Sequence, residues 1–276
     1  MEVVTTVARA REVLRGARRP LGFVPTMGAL HDGHLALVRA ARDACAAVVV
    51  SLFVNPLQFG PSEDLATYPR DAKRDRDKLD GAGVDVLFTP ESAEMYPPGF
   101  AACVDVGPLG DTFEGASRPG HFRGVATVIV KLLNVTAPDR LYLGQKDAQQ
   151  AVVLQKLVAD LNVPIEIEIV PTVRESDGLA MSSRNAYLDS AQRAQAPTLY
   201  RALIAMRDAL DRGIEKPVAA AAAAAALSPS AKLEYLDLVD ARTFAPLDRL
   251  QRPSIVIGAA RFGKTRLIDN LWIKEK

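Results

Sequence analysis

The sequence predicts an α/β protein: a Rossmann-like, doubly wound parallel sheet with a second, smaller α+β domain at its C-terminal end. Three observations carry this. Strand-like and helix-like segments alternate through residues 1–170, the pattern of repeated βαβ units. The run 46–53, AAVVVSLF, is continuously apolar and rich in Val, as expected of a strand buried on both faces of a parallel sheet. From about residue 176 the alternation gives way to helix, helix, then strands. The boundary is expected between Val170 and Asp177, giving domains of 1–173 and 174–276.

The elements follow in order. Residues 21–25 read as a short buried strand. A helical pattern covers 33–44, with Leu35, Val38, Ala41 and Ala44 apolar among polar positions. After the strand at 46–53, the segment 71–81 is charged and helical, and 84–88 is another short strand. Residues 120–133 show helical periodicity through Val125, Val128, Ile129 and Leu132. A brief strand at 141–143, a helix at 148–161 and a strand at 165–170 complete the first domain. In the second, 190–211 reads as one long helix. The segment 217–227, with eight consecutive alanines, reads as a plain helical spacer. Residues 233–239, 254–260 and 266–273 read as strands. Ligands of open parallel sheets gather at the carboxyl ends of strands. Polar loops follow the strands here after Val24, Phe53, Leu143 and Val170.

Composition narrows the function classes. The chain has 276 residues, 49% of them apolar, and a net charge of +1. So even a balance disfavours a polyanionic macromolecule as partner, whereas a compact anionic substrate needs only a local basic site. Cys45 and Cys103 form no CxxC pair, which speaks against a zinc or redox motif. Residues 1–6 lack the basic and apolar regions of a secretory signal, and no apolar run approaches the roughly 18 residues of a membrane helix. The expectation is a reduced cytoplasmic protein, with no nucleic-acid or membrane partner.

The most informative stretch runs from Thr26 to His34 and holds His31 and His34, two of only three histidines. A strand, a glycine-containing loop and a helix start leave unpaired N–H groups and the positive helix end facing an anion. Two imidazoles there can donate to the same anion, and Gly28 and Gly33 allow close backbone approach. This points to attack at a nucleotide phosphate. The plainer reading is two surface histidines beside a helix start. The spacing is too short for the i, i+4 zinc pair, and no HExxH is present.

Three further loops add donors. Asn55 and Gln58, after the Val-rich strand, offer amides suited to hydroxyl or carboxylate recognition, or form an ordinary turn around Pro56. Lys146 sets a mobile positive charge at a helix start with Asp147 as N-cap; the cap alone is the structural alternative. Ser182, Ser183 and Arg184 can form several hydrogen bonds to a pyrophosphate, or serve as a helix cap. Asp71, Asp75 and Asp77 lie among Lys73, Arg74 and Arg76, the pattern of a solvated helix face, although a carboxylate here could help hold Mg²⁺ beside a nucleoside triphosphate.

Jointly these stretches resemble the pantothenate synthetase family. The matching pieces are PTMGALHDGH at 25–34, FVNPLQF at 53–59, YPR at 68–70, RPGHFRGVATVIVKLLN at 118–134, GQKDAQQ at 144–150 and DGLAMSSRN at 177–185. They occur in the family's order. The family belongs to the nucleotidylyltransferase group, related to class I aminoacyl-tRNA synthetases, in which HxGH is a signature. The Met-Ser-Ser-Arg loop takes the place of the synthetases' KMSKS.

The resemblance implies ATP-dependent condensation of pantoate with β-alanine, releasing AMP and pyrophosphate. Pantoate's carboxylate would attack the α-phosphate to give pantoyl adenylate, and the β-alanine amine would then attack the activated acyl carbon. It implies catalytic roles for His34, His31 and Lys146. It implies ATP contacts from Met27, Gly28, Ala29, Leu30, His31, Asp32, Gly33 and His34. Gly144, Gln145, Lys146 and Asp147 would also bind ATP, with Val173 beside the adenine and Met181, Ser182, Ser183 and Arg184 on the pyrophosphate end. Gln58 would contact pantoate and later β-alanine, and Gln150 pantoate. Tyr68, Asn55 and Arg118 fall near the family's site, and Asp75 aligns with a carboxylate near the metal. The resemblance also implies Mg²⁺ with ATP and a homodimer. Gln145 stands where glutamate is also common, and the alanine run replaces a more varied helix.

Two alternatives remain at this level. An adenylyltransferase that stops at nucleotide transfer shares the HxGH junction but leaves Gln58, Gln150 and the second domain unexplained. A noncatalytic RNA-binding relative of a synthetase fits poorly with a net charge of +1 and 6% aromatic residues.

Overall fold

Period-two alternation along the strands sets the layers of the first unit. A computed structural model describes residues 1–61 and 63–275. The chain opens with β1 (Glu2–Val4) and α1 (Val7–Arg15), then β2 (Leu21–Thr26), α2 (Asp32–Ala44) and β3 (Ala47–Leu52). After a 3₁₀ turn at Pro56–Gln58 come α3 (Ala72–Gly81), β4 (Val86–Phe88) and the short helices α4 (Ser92–Met95) and α5 (Glu114–Ser117). The long α6 (His121–Thr136), β5 (Arg140–Gly144), α7 (Ala148–Asp160) and β6 (Glu166–Val170) follow. The six strands form one sheet in the order β1-β4-β3-β2-β5-β6, with every pairing parallel.

Neighbouring residues on each strand enter opposite cores. Phe23, Val49, Phe88, Leu141 and Leu143 join one cluster with Ala10 and Leu14 of α1, Val125, Ile129 and Leu132 of α6, and Leu154 and Leu157 of α7. Val24, Val48, Val50, Leu87 and Tyr142 join the other with Leu37, Val38 and Ala41 of α2 and Leu79 of α3. Helices therefore cover both faces, and the expected doubly wound parallel sheet is present. From β2 the chain runs outward through β3 to β4, and it later returns to place β5 on β2's other side. That reversal between β2 and β5 is the topological switch point, where ligands of such sheets lie beyond the strand ends.

The second unit holds an antiparallel sheet in the order β7-β8-β9 (Ala231–Asp240, Ser254–Phe262, Thr265–Ile273). It also holds α8 (Ser190–Gln195), α9 (Thr198–Asp211) and α10 (Lys216–Ala224). Leu203, Met206 and Leu210 of α9 pack with Leu238, Val256 and Ile273 of the sheet. Residues group by contact as Met1–Gly144 with Val153–Val170, and as Gln145–Val152 with the chain from Pro171 onward.

The structure corrects several details. The single helix expected over 190–211 is two helices, because Pro197 between them has no N–H to donate and its ring obstructs a continuous helix. The alanine run is not a spacer: Ala219 and Ala223, four apart on α10, are fully buried against α9 and β7. β1 and α1, before residue 21, lie outside the elements expected from the sequence. Val7, Ala10 and Leu14 carry the helical spacing that marks α1.

Candidate active site

The loop after β2 is shaped by its own sequence and by one turn of α3. Gly28 sits at φ +88°, in the left-handed region that glycine enters without penalty, and Ala29 follows at φ +52°. The loop's outward N–H groups are collected by Asp75: one carboxylate oxygen accepts from Ala29 N and the other from Leu30 N, each at 2.8 Å. Three residues on, Lys78 Nζ donates to the Leu30 carbonyl at 2.5 Å. The N–H and the carbonyl of Leu30 are thereby both held from α3. The solvated face expected of 71–81 fails at Asp75, which is only 3% exposed.

The two histidines cap α2. His31 Nδ1 accepts the N–H of Gly33 at 3.2 Å, and His34 Nδ1 accepts the N–H of His31 at 3.3 Å. Imidazoles thus take both parts of a capping box usually filled by Ser or Thr with Glu or Gln. Since each Nδ1 is an acceptor, each neutral ring carries its proton on Nε2. The rings lie 4.1 Å apart between centroids, tilted by 39°. The arrangement sets two Nε2–H donors side by side at a helix N-terminus, suited to an anion.

At the end of β3, Asn55 is 1% exposed and ties four groups together. Its Oδ1 accepts from Leu57 N at 3.3 Å and from the Tyr96 hydroxyl at 2.7 Å. Its Nδ2 donates to the Gly124 carbonyl at 3.1 Å and to Gln58 Oε1 at 3.0 Å. Gln58 Nε2 donates to Met27 Sδ at 3.2 Å, which brings the amide loop against the histidine loop. Gly124 is required here, because a Cβ would overlap the Leu57 carbonyl where α6 meets the 56–58 turn.

Beneath Gln58 lies a charged cluster of which only Arg118 is among the residues expected near the site. His121 Nδ1 donates to the Gln58 carbonyl at 2.9 Å. Arg118 donates to the same carbonyl at 3.3 Å, to His121 Nε2 at 3.0 Å and to Glu63 at 2.6 Å. Guanidinium groups only donate, so His121 Nε2 is an acceptor and the ring is neutral with its proton on Nδ1. Burial, reinforced by the Arg118 charge, pushes the His121 pKa down to about 4. Burial raises the Glu63 pKa, but the hydrogen bond and charge of Arg118 outweigh it and leave the carboxyl below its usual range. The signal available in sequence was the third histidine in Arg-Pro-Gly-His, at a helix start after Gly120. Nothing local marks Tyr96 or Glu63, whose partners lie 41 and 55 residues away.

The second unit positions the other expected residues. Asp147 immediately precedes α7, and its carbonyl accepts from Ala151 N at 2.9 Å, as an N-cap's does. Lys146 Nζ lies 3.5 Å from Asp147 Oδ1. Asn270 on β9 donates to the carbonyls of both Gln145 and Lys146, at 2.9 and 2.8 Å. Next to it, Asp269 forms a two-point ion pair with Arg174 at 2.6 and 2.9 Å. Arg174 stacks 3.6 Å from the Tyr200 ring centroid. Burial raises the Asp269 pKa even against Arg174. Val173 and Met181 meet through a backbone bond of 3.0 Å. Ser182 caps the 3₁₀ turn Ser183–Tyr187, accepting from Arg184 N at 3.3 Å. Gln150 lies half-buried in the first turn of α7. Asn270 and Asp269, distant in sequence, carry no local signal.

These residues do not fit a protein-held metal. Both Asp75 oxygens are engaged by backbone N–H groups, and among the described residues no three His, Cys, Asp or Glu side chains converge on a cation site. No helix of the described residues is long and apolar enough to cross a membrane.

Together the switch point, the capped glycine loop and the adjoining amides define an open parallel α/β protein with a candidate site for an anionic ligand at its strand ends. The family model described as pantoate-beta-alanine ligase matches residues 2–272, and the chain belongs to that family. It is 53% identical to the pantothenate synthetase of Chloroflexus aurantiacus over 279 aligned positions, covering 100% of this chain and 99% of that protein. The crystal structure of pantothenate synthetase from Thermus thermophilus matches with a TM-score of 0.95 at 51% identity, covering 100% of both chains. That of a pantoate-beta-alanine ligase from Francisella tularensis, complexed with beta-gamma ATP and beta-alanine, matches with a TM-score of 0.80 at 33% identity, covering 99% of this chain and 97% of that one.

Proposed function

We propose that this chain activates the carboxylate of pantoate with ATP and joins the pantoyl group to β-alanine, releasing AMP and pyrophosphate. The observation that carries this reading is the 3.2 Å contact between Gln58 Nε2 and Met27 Sδ. It sets an amide suited to a hydroxy acid against a loop suited to a phosphate. A carboxylate is a poor acyl donor because its leaving group would be oxide. In the first step a pantoate carboxylate oxygen attacks the α-phosphorus and pyrophosphate leaves. In the second the β-alanine amine attacks the acyl carbon, loses a proton, and AMP leaves with the former carboxylate oxygen.

The negative charge that develops on the α-phosphate calls for fixed donors, and the Nε2–H groups of His34 and His31 supply them. Met27 to His34 line the nucleotide. Gln58 and Gln150 hold pantoate, and Gln58 afterwards β-alanine. Lys146 meets phosphate, with Gly144, Gln145 and Asp147 as neighbouring ATP contacts. Val173 borders the adenine, and Met181, Ser182, Ser183 and Arg184 take the pyrophosphate end. Mg²⁺ enters with the triphosphate as part of the substrate, since Mg²⁺ is commonly held by substrate phosphates and retained waters. A cytoplasmic homodimer completes the reading, and gel filtration tests the dimer.

ATP–pyrophosphate exchange with and without pantoate, followed by β-alanine-dependent AMP release, tests the reaction. Exchange that requires pantoate and AMP release that requires β-alanine are expected. Exchange supported by a nucleotide acceptor in place of pantoate would favour an adenylyltransferase instead.

A further inference from the structure

The two amide side chains at the end of β3 have a polarity that is fixed from outside. Leu57 N can only donate, so the Asn55 atom it contacts at 3.3 Å must be the oxygen. The Gly124 carbonyl can only accept, so the Asn55 atom it contacts at 3.1 Å must be the nitrogen. These two contacts give the Asn55 amide its polarity, each through a bond longer than 3.0 Å. Its Nδ2 is the donor to Gln58, so the Gln58 atom at 3.0 Å is the carbonyl oxygen. The opposite end of the Gln58 amide is NH₂. One of its hydrogens meets Met27 Sδ, a weak acceptor that a carboxylate readily displaces. Tyr96 stands at the start of this relay. Its hydroxyl donates to Asn55 Oδ1 at 2.7 Å, shorter than any other bond Asn55 makes. Its ring is held separately, against Phe53 at 6.1 Å and Phe100 at 4.9 Å between centroids.

We propose that Tyr96 is a positioning residue for substrate recognition: acting through Asn55, it fixes Gln58 so that this side chain offers N–H, and not C=O, to the carboxylate or hydroxyl oxygens of the hydroxy-acid substrate. The proposal rests on the functional reading above. Tyr96 itself touches no reacting atom. Its hydroxyl anchors an amide that would otherwise rely on the longer Leu57 bond to keep its oxygen in place, and Phe at this position retains the ring contacts while deleting only the anchor.

The test uses pantoate-dependent ATP–pyrophosphate exchange by the full chain. Tyr96→Phe is expected to raise the KM for pantoate about tenfold, the order of one lost hydrogen bond, with the KM for ATP unchanged. In a Gln58→Ala background the same substitution is expected to change neither. An unchanged pantoate KM in Tyr96→Phe, or an equal multiplicative effect in both backgrounds, would overturn the relay. Gln58→Glu tests the polarity independently of how Tyr96→Phe folds. Its outward atom becomes an anionic acceptor, so pantoate KM should rise further than in Gln58→Ala. Pantoate use by Gln58→Glu as good as that of the parent chain would overturn the proposal. Absence of pantoate-dependent exchange in the parent chain would instead overturn the functional reading, and the proposal with it.

Discussion

His34 Nδ1 accepts the backbone N–H of His31 at 3.3 Å, so the second histidine of the pair helps to build the helix start on which the first one sits. His31 in turn accepts the N–H of Gly33. Capping and the proposed chemistry thus fall on the same two rings, divided by atom: Nδ1 serves the backbone, and the donor role proposed above belongs to Nε2.

That division separates stability from activity. Asn is a good N-cap but has no second nitrogen at the position of Nε2. His31→Asn is expected to leave thermal stability within about 0.5 kcal/mol of the parent, whereas His31→Ala costs about 1 kcal/mol. Both should slow pantoate-dependent exchange. Recovery of full exchange in His31→Asn would confine His31 to capping.

His34→Ala and Lys146→Ala are each expected to lower the adenylation rate by at least roughly 10²-fold, the scale of removing one donor from a developing oxyanion, with circular dichroism unchanged. Near-parent rates in either variant would remove that residue from the charge-stabilising set.

Asp75→Asn keeps the shape of the side chain but turns one acceptor into a donor facing a backbone N–H. The expected cost is about 1–3 kcal/mol of stability together with slower exchange, measured by denaturant melts and the exchange assay. Because Asp75 holds Ala29 and Leu30, raising Mg²⁺ should not restore the rate. Recovery at high Mg²⁺ would return Asp75 to a metal role.

Asn270→Ala removes both donors to the Gln145 and Lys146 carbonyls. The KM for ATP should rise several-fold with that for pantoate unchanged, since the affected loop carries Lys146, the lysine proposed to meet phosphate. An equal rise in both would mean a general loss of structure.

His121 gives the chain an acid-sensitive element. Its pKa is about 4 in the folded protein and about 6.5 when unfolded, so the unfolded chain binds more protons between those values. The stability it confers is complete above about pH 6.5 and is lost as pH falls toward 4, by up to about 3 kcal/mol. In His121→Asn the slope of unfolding free energy against pH should flatten over that window, whatever the variant's absolute stability. An unchanged slope would place the sensitivity elsewhere.

Much of this was legible in the sequence, for definite reasons. The alternation of Phe23 with Val24 and of Val48 with Val49 reports two buried faces, and so a doubly wound sheet, because side chains on a strand alternate strictly. The Gly28 loop, the histidine pair and Lys146 are local features at strand–helix junctions, where chemistry follows from a few adjacent residues. The break at Pro197 was also legible, but the apolar periodicity on either side of it masked the missing N–H.

What tertiary structure alone decided is how those local groups are held. Asp75 reads as one charge among many on a polar helix, and only the fold turns it inward to take two N–H groups of a loop 45 and 46 residues away. Tyr96, Arg118 and His121 have no common motif, yet they converge on Asn55 and Gln58. Sequence specifies which atoms can donate and which can accept. Which donor meets which acceptor depends on backbone segments far apart in the chain being packed to within about 3 Å, the reach of a hydrogen bond, and that is a property of the folded core.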